Sequence, residues 1–305
     1  MFDRVAGFAH PGGRRAPGNT AAGTVNYGTA MTLAERLNAT VRGLPEGQAI
    51  VFVHGYGCGQ EIWRHVAPEF EVDHRVLLID LPGSGGSEGS AYDPVRHASL
   101  SGYRDDLIAL LDELDLDSTV LVGHSVSAMI VALVQIERPD LVDRLILASP
   151  SPRYIDDGPY VGGFSEADIN DLLTLMSRNH LGWQDPLAGM VAAPDAPGIK
   201  EELVELFCRM RPAVAAQFAE VTFRGDNRAD LVEVTAPTLV LQCRDDLVAP
   251  LTTGKYVSEA VADSELRIIE TRGHCPQLSA PEETTAAIRD FLARTSRTSR
   301  ASVAR

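Results

Sequence analysis

Six short apolar runs recur along the chain: "AIVFV" (49–53), "RVLLID" (75–80), "TVLVG" (119–123), "RLILAS" (144–149), "TLVLQC" (238–243) and "LRIIE" (266–270). They are continuous rather than alternating, the pattern of parallel strands buried on both faces. Between them lie segments with helical spacing: 99–114, 126–139, 252–261 and 281–293. Strand and helix in alternation predict an α/β fold with a mostly parallel, doubly wound sheet. The alternation breaks between 151 and 230. There helical patterns such as "SEADINDLLTLMSRN" and "IKEELVELFCRMRPAVAAQFAEVTF" are divided by Gly- and Pro-rich turns, so a helical insertion is expected between two strands. The chain is therefore read as a leader over 1–36, a core over 37–150 and 231–294, a helical insertion over 151–230 and a disordered tail over 295–305. Met31, where ordinary patterning begins, is an alternative first residue.

Charge narrows the partners. The net charge is −15, yet residues 1–30 carry one acid and three arginines, and residues 293–305 carry four arginines and no acid. More than the whole negative excess thus falls on the body between. A surface of that sign disfavours nucleic acid and anionic membranes as partners. No apolar stretch approaches membrane-spanning length, and the first thirty residues lack the apolar region of a signal peptide. The four cysteines, Cys58, Cys208, Cys243 and Cys275, are scattered without a C-x-x-C pair, as expected of reduced thiols in a cytoplasmic protein.

The chemistry centres on Gly123-His124-Ser125-Val126-Ser127, which follows one apolar run and opens a helical pattern. A serine on a sharp strand-to-helix turn, flanked by small residues, is a nucleophile elbow; Ser127 stands where the pattern usually has glycine. In triads built on such an elbow the acid and the base follow the nucleophile in that order. "CRDDLVAP" follows one later run and "TRGHCPQLS" follows the next. His274 is assigned as general base and Asp246 as its orienting carboxylate, with Asp245 as the rival. The glycine-rich loop "HGYGCGQEIW" (54–63) follows the first strong strand. The backbone N–H groups of Tyr56 and Val126 are the expected oxyanion donors. His54 and His124 are read as structural. There is no H-E-x-x-H and no Cys/His ligand cluster, so no metal or other cofactor is expected.

From Asn38 to Ala293 the chain resembles the RsbQ-type α/β-hydrolases, bacterial stress-signalling hydrolases similar to the plant strigolactone and karrikin receptors. The resemblance lies in "HGYGCGQEIW", "GHSVSAMI", "SPRYIDD" with "YVGGF", "GW" at 182–183, "EELVELFC", "LQCRDDLVAP", "GKY" and "RGHCPQLS". It implies the α/β-hydrolase fold, a Ser125–His274–Asp246 triad, and a four-helix lid over a mostly apolar pocket. It also implies slow hydrolysis of small esters or lactones and, in RsbQ, signalling with a PAS-containing PP2C phosphatase. Gly59 departs from the family, which has Asp before Gln-x-x-Trp. Phe164, Leu172, Leu175, Met176, Trp183, Phe207 and Phe218 are the expected pocket residues.

Two functions stay open on this reading. One is a cytoplasmic serine hydrolase for a small, mainly apolar ester or lactone. The other is a sensor of an apolar signal ligand, with vestigial hydrolysis and a phosphatase as output. A C–C bond hydrolase or perhydrolase with the same triad is a third. A serine at the elbow argues against dehalogenase or epoxide hydrolase chemistry, which needs Asp there.

Overall fold

Seven strands form one sheet in the order β1-β3-β2-β4-β5-β6-β7. They are β1 (Thr40–Gly43), β2 (Gln48–Val53), β3 (His74–Ile79), β4 (Thr119–His124), β5 (Val142–Ala148), β6 (Thr238–Asp245) and β7 (Ser264–Arg272). This computed structural model describes residues 31–178, 182–193 and 198–302, with side chains as far as 295. All strand pairs are parallel except β1 with β3. The six apolar runs coincide with β2 to β7. Central strands are buried on both faces: every residue of β4, and Ala49 to Val53 of β2. β1 is the strand that apolar runs could not reveal, being four residues long, largely exposed and at the sheet edge.

Strand order fixes where a ligand can sit. β3 lies on one side of β2 and β4 on the other. The chain therefore leaves the carboxyl ends of β2 and β4 in opposite directions, which opens a crevice at this switch point. In register, Val53 pairs with Gly123, so the 54–58 loop and the 125 turn start side by side.

Ten helices complete the described chain: α1 (Leu33–Arg36), α2 (Leu100–Glu113), α3 (Val126–Glu137), α4 (Glu166–Arg178), α5 (Gln184–Val191), α6 (Ile199–Arg209), α7 (Pro212–Arg224), α8 (Leu251–Ala260), α9 (Pro276–Ser279) and α10 (Pro281–Ser302). Helices α4 to α7 lie between β5 and β6, within the stretch where no strand was expected. Each has one apolar stripe. In α4 it is Ile169, Leu173 and Met176, and in α6 it is Ile199, Leu203, Leu206 and Phe207. Helix α4 packs on α7, and α5 on α6. Pro212 starts α7 at a position where its missing N–H costs nothing.

Both expected chain boundaries move outward. Residues 1–30 of the expected leader lie outside the described residues. Residues 31–36 are ordered by α1, where Thr32 and Glu35 form a capping box and Glu113 accepts from the N–H groups of Leu33 and Ala34. At the other end α10 runs to Ser302, well into the tail read as disordered. After Pro281 the segment contains neither proline nor glycine to stop it. Residues 303–305 lie outside the described residues.

Leu121, fully buried at the centre of β4, tests the frame. Leu121→Ala is expected to cost about 2–5 kcal/mol in denaturant unfolding. A cost below about 1 kcal/mol would contradict a close-packed sheet centre.

Candidate active site

Ser125 sits between β4 and α3 with φ +57° and ψ −124°. A non-glycine residue there costs about 1–3 kcal/mol and is held only by its surroundings. Its N–H donates to Ala148 O at 2.8 Å, tying the turn to β5. The flanking small residues have separate reasons. A Cβ on Gly123 would overlap the Ser127 carbonyl. Ser127, at the usual glycine position, donates its hydroxyl to the His54 carbonyl and so joins the elbow to the end of β2.

His274 comes from the loop after β7. Gly273 adopts φ +88°, and a Cβ there would lie 2.6 Å from Ala193 N. This glycine lets the loop press against the end of α5, where the His274 N–H donates to Val191 O at 2.8 Å. His274 Nε2 stands 2.8 Å from Ser125 Oγ, and its Nδ1 stands 2.7 Å from Asp246 Oδ2. All three side chains are buried. Asp246 Oδ1 accepts from the N–H groups of Val248 and Ala249 at 2.8 and 3.0 Å, and Oδ2 also from Gln242 at 3.3 Å. Those donors hold Asp246 as an acceptor, so His274 Nδ1–H donates to it and Nε2 is left to accept from Ser125. The rival, Asp245, points outward: its side chain is exposed and lies 4.0 Å from Arg272.

His54 and His124 occupy buried structural positions. His54 Nδ1–H donates to Gly55 O at 2.8 Å while Nε2 accepts from Leu81 N–H at 2.9 Å. His124 Nε2–H donates to His274 O at 2.8 Å, a support for the base loop from beside the nucleophile. Burial, with the neighbouring His274, pushes His124 down to about 3, and burial lowers His54 as well. Both rings are thus neutral.

The loop over 54–58 faces the elbow at close range. A Cβ on Gly55 would lie 2.7 Å from His124 Nδ1 and 3.1 Å from the Ser125 Cβ. Tyr56 follows it, with its hydroxyl donating to Ala215 O at 2.8 Å in α7. Val126 is the first residue of α3, so its N–H has no partner inside that helix. At the atypical Gly59, a side chain would run into the Glu61 carboxylate, which pairs instead with Arg209 of α6 at 2.7 Å.

A narrow cavity opens over Ser125 and His274. Its wall is mostly apolar, with Leu187, Val191, Phe207, Phe223 and Val248. Of the four aromatic residues singled out for this wall, Phe207 lines it. Trp183 lies one layer back, stacked on Phe207 at 5.5 Å. Phe218 faces the core and stacks on Tyr103 at 4.6 Å. Phe164 is half-buried and outside the wall, its backbone bridged to Ile155. Trp183 and Phe218 each meet two rings, and helical spacing does not say which one a side chain meets. Sequence reasoning missed Tyr154, whose hydroxyl lies 3.2 Å from Ser125 Oγ. It also missed Thr222, a wall residue whose buried hydroxyl has no hydrogen-bond partner. The signal for Tyr154 was its place just after β5, the same sheet end as Ser125. Thr222 carried none. Among the described residues, no group of three or more His, Cys, Asp or Glu could hold a metal ion.

Two outcomes follow from the buried polar groups. Thr222→Val replaces an unpartnered hydroxyl by a methyl of similar size and is expected to raise stability by about 1 kcal/mol in chemical denaturation; a loss of that size would mean the hydroxyl has a partner. His54 and His124 bind protons only when the chain unfolds, because their folded values lie below the ordinary 6.5. The unfolded state then binds more protons, so stability should fall as pH drops from 6.5 towards 3. His124→Gln, which keeps a donor but cannot be protonated, should lose less over that range in melting curves. An equal loss would remove His124 from the cause.

The comparisons with known proteins agree with this geometry. The model of the alpha/beta hydrolase family matches residues 50–288. The chain is 37% identical to a probable esterase of Oryza sativa subsp. japonica over 81% of its length and 92% of the relative's. It is 37% identical to "Karrikin insensitive 2 receptor IA" of Petunia hybrida over 80% and 90%. Among solved structures, olei00960, a hydrolase from Oleispira antarctica, superposes with a TM-score of 0.82 at 32% identity, covering 86% of this chain and 96% of that one. A seven-stranded sheet, a strained serine at its switch point and these likenesses place the chain in the alpha/beta hydrolase family.

Proposed function

We propose that this protein hydrolyses small, mainly apolar carboxylic esters or lactones through Ser125. The observation that carries the reading is the unbroken line from Asp246 through His274 to Ser125, at 2.7 and 2.8 Å, ending in an apolar cavity. In this mechanism Ser125 Oγ attacks the carbonyl carbon while its proton passes to His274 Nε2. The carbonyl π pair moves to oxygen, where the N–H groups of Tyr56 and Val126 donate to it. The positive end of α3 adds to that field. Collapse expels the alcohol, which takes the proton back from His274, and water then repeats the sequence on the acyl-enzyme. Asp246 keeps the imidazole in the one tautomer that can do this. The apolar wall suits a compact ligand with few polar atoms.

Ser125→Ala is expected to lower p-nitrophenyl acetate hydrolysis by about a thousandfold or more. It should also abolish labelling by a fluorophosphonate, whose adduct on the wild type should map to the Ser125 peptide. Wild-type turnover in Ser125→Ala would overturn the proposal.

Relatives named karrikin receptors support a second reading, in which a small apolar ligand is sensed and turnover is slow. Steady-state rates separate the two: multiple turnovers in the range of roughly 1–10³ s⁻¹ favour the enzyme, and a single stoichiometric reaction favours the sensor. The RsbQ-type grouping, and the PP2C phosphatase partner and stress signalling it implies, rest on the sequence motifs alone. Co-purification with such a phosphatase is their test.

A further inference from the structure

Tyr154 has no part in the scheme above, yet its hydroxyl lies 3.2 Å from Ser125 Oγ in a fully enclosed position. The residue is clamped from both ends. Its carbonyl accepts from Phe164 N–H at 3.2 Å, beside the Ile155–Phe164 bridge, and its ring meets Phe223 edge-on at 5.1 Å. Gly162 packs so closely on its backbone that any side chain at 162 would displace it.

The direction of the hydrogen bond follows from counting donors. Asp246 only accepts, so His274 Nδ1–H donates to it. As base in the proposed mechanism, His274 accepts at Nε2, so Ser125 O–H donates there. Ser125 has no second proton, so Tyr154 O–H is the donor to Ser125 Oγ. Burial raises the phenol and keeps that proton on Tyr154. The result is a one-way chain: Tyr154 to Ser125 to His274 to Asp246.

We infer that Tyr154 is a further catalytic residue, whose hydroxyl stabilises Ser125 Oγ when that oxygen is the leaving group in breakdown of the acyl-enzyme. The inference rests on the reading of Ser125 as nucleophile. In this step water attacks the acyl carbon and its proton goes to His274 Nε2. The tetrahedral intermediate re-forms the carbonyl, the C–Oγ bond breaks and its electron pair stays on Oγ. That oxygen takes the proton from His274. Tyr154 transfers no proton; its O–H strengthens its bond to Oγ as charge gathers there, since hydrogen bonds to charged acceptors are about twice as strong as neutral ones. In acylation the same donor already bonds the free Ser125 hydroxyl in the starting state, whereas in the acyl-enzyme Oγ is a weakly accepting ester oxygen, so its loss changes acylation less than deacylation.

A p-nitrophenyl dimethylcarbamate tests this directly, because the carbamoyl-enzyme it forms decays slowly enough to follow by intact mass. Tyr154→Phe keeps the ring and its packing and removes only the hydroxyl. Its carbamoyl adduct is expected to decay about tenfold more slowly than that of the wild type, while the rate of adduct formation stays within about threefold. A merely structural role would slow formation too. Placing 3-fluorotyrosine at 154, a more acidic donor with the same hydroxyl, should return decay at least to the wild-type rate. Equal decay in Tyr154→Phe and wild type would overturn the role of Tyr154. Absence of any adduct on wild-type Ser125 would instead overturn the hydrolase reading beneath it.

Discussion

The close approach of two backbones at the carboxyl ends of β2 and β4 is the constraint on which the site depends. Parallel pairing brings Val53 opposite Gly123, and the chain then turns away in opposite directions. The turns can face each other only because the positions in contact are small. Gly55 has no Cβ to strike His124, and Gly123 has none to strike Ser127. The Ser127 hydroxyl then bonds the His54 carbonyl across the gap. This arrangement places the 54–58 loop and the Ser125 turn on the two walls of one crevice. It also over-determines the strained Ser125 backbone, which no local preference would hold.

The imidazoles and the carboxylate of this region are held by specific partners. His54 is fixed through both ring nitrogens and His124 through Nε2. His54 bridges Gly55 and Leu81, and His124 braces the His274 carbonyl. Asp246 collects donors on both oxygens before His274 reaches it. Burial keeps the two supporting histidines neutral, so the one carboxylate at His274 is not balanced by a cation that would weaken its hold on the base. The thiols of Cys58 and Cys275, close to this chain, are pushed up by burial and stay protonated.

How much of this the amino-acid sequence shows depends on the kind of burial. Strands β2 to β6 were legible because burial on both faces demands continuous apolar runs; β7, at the sheet edge with only Ile269 buried, carries such a run without that demand. β1 was not, since an exposed edge strand of four residues demands nothing of its side chains. Ser125, Asp246 and His274 were legible because each follows a strand, and parallel strands deliver their carboxyl ends to one rim. The cavity wall was not. Phe218 has an apolar neighbour in Tyr103, and Trp183 one in Phe207, so a period-3.6 stripe marks them as buried without saying against what. Tyr154 and Thr222 are polar residues whose meaning appears only when a hydroxyl is seen beside Ser125 or seen alone. The ends were misjudged for a related reason: composition reports the absence of a core pattern, and a capped turn or a solvated helix needs none.

The bond from the His274 N–H to Val191 O joins His274 to the last turn of α5. Leu187 and Val191 of that helix are also part of the cavity wall. Any motion that lifts α5 to admit a ligand stretches the tether that positions the imidazole. The imidazole and that part of the cavity wall are thus one mechanical unit, and neither can shift without the other.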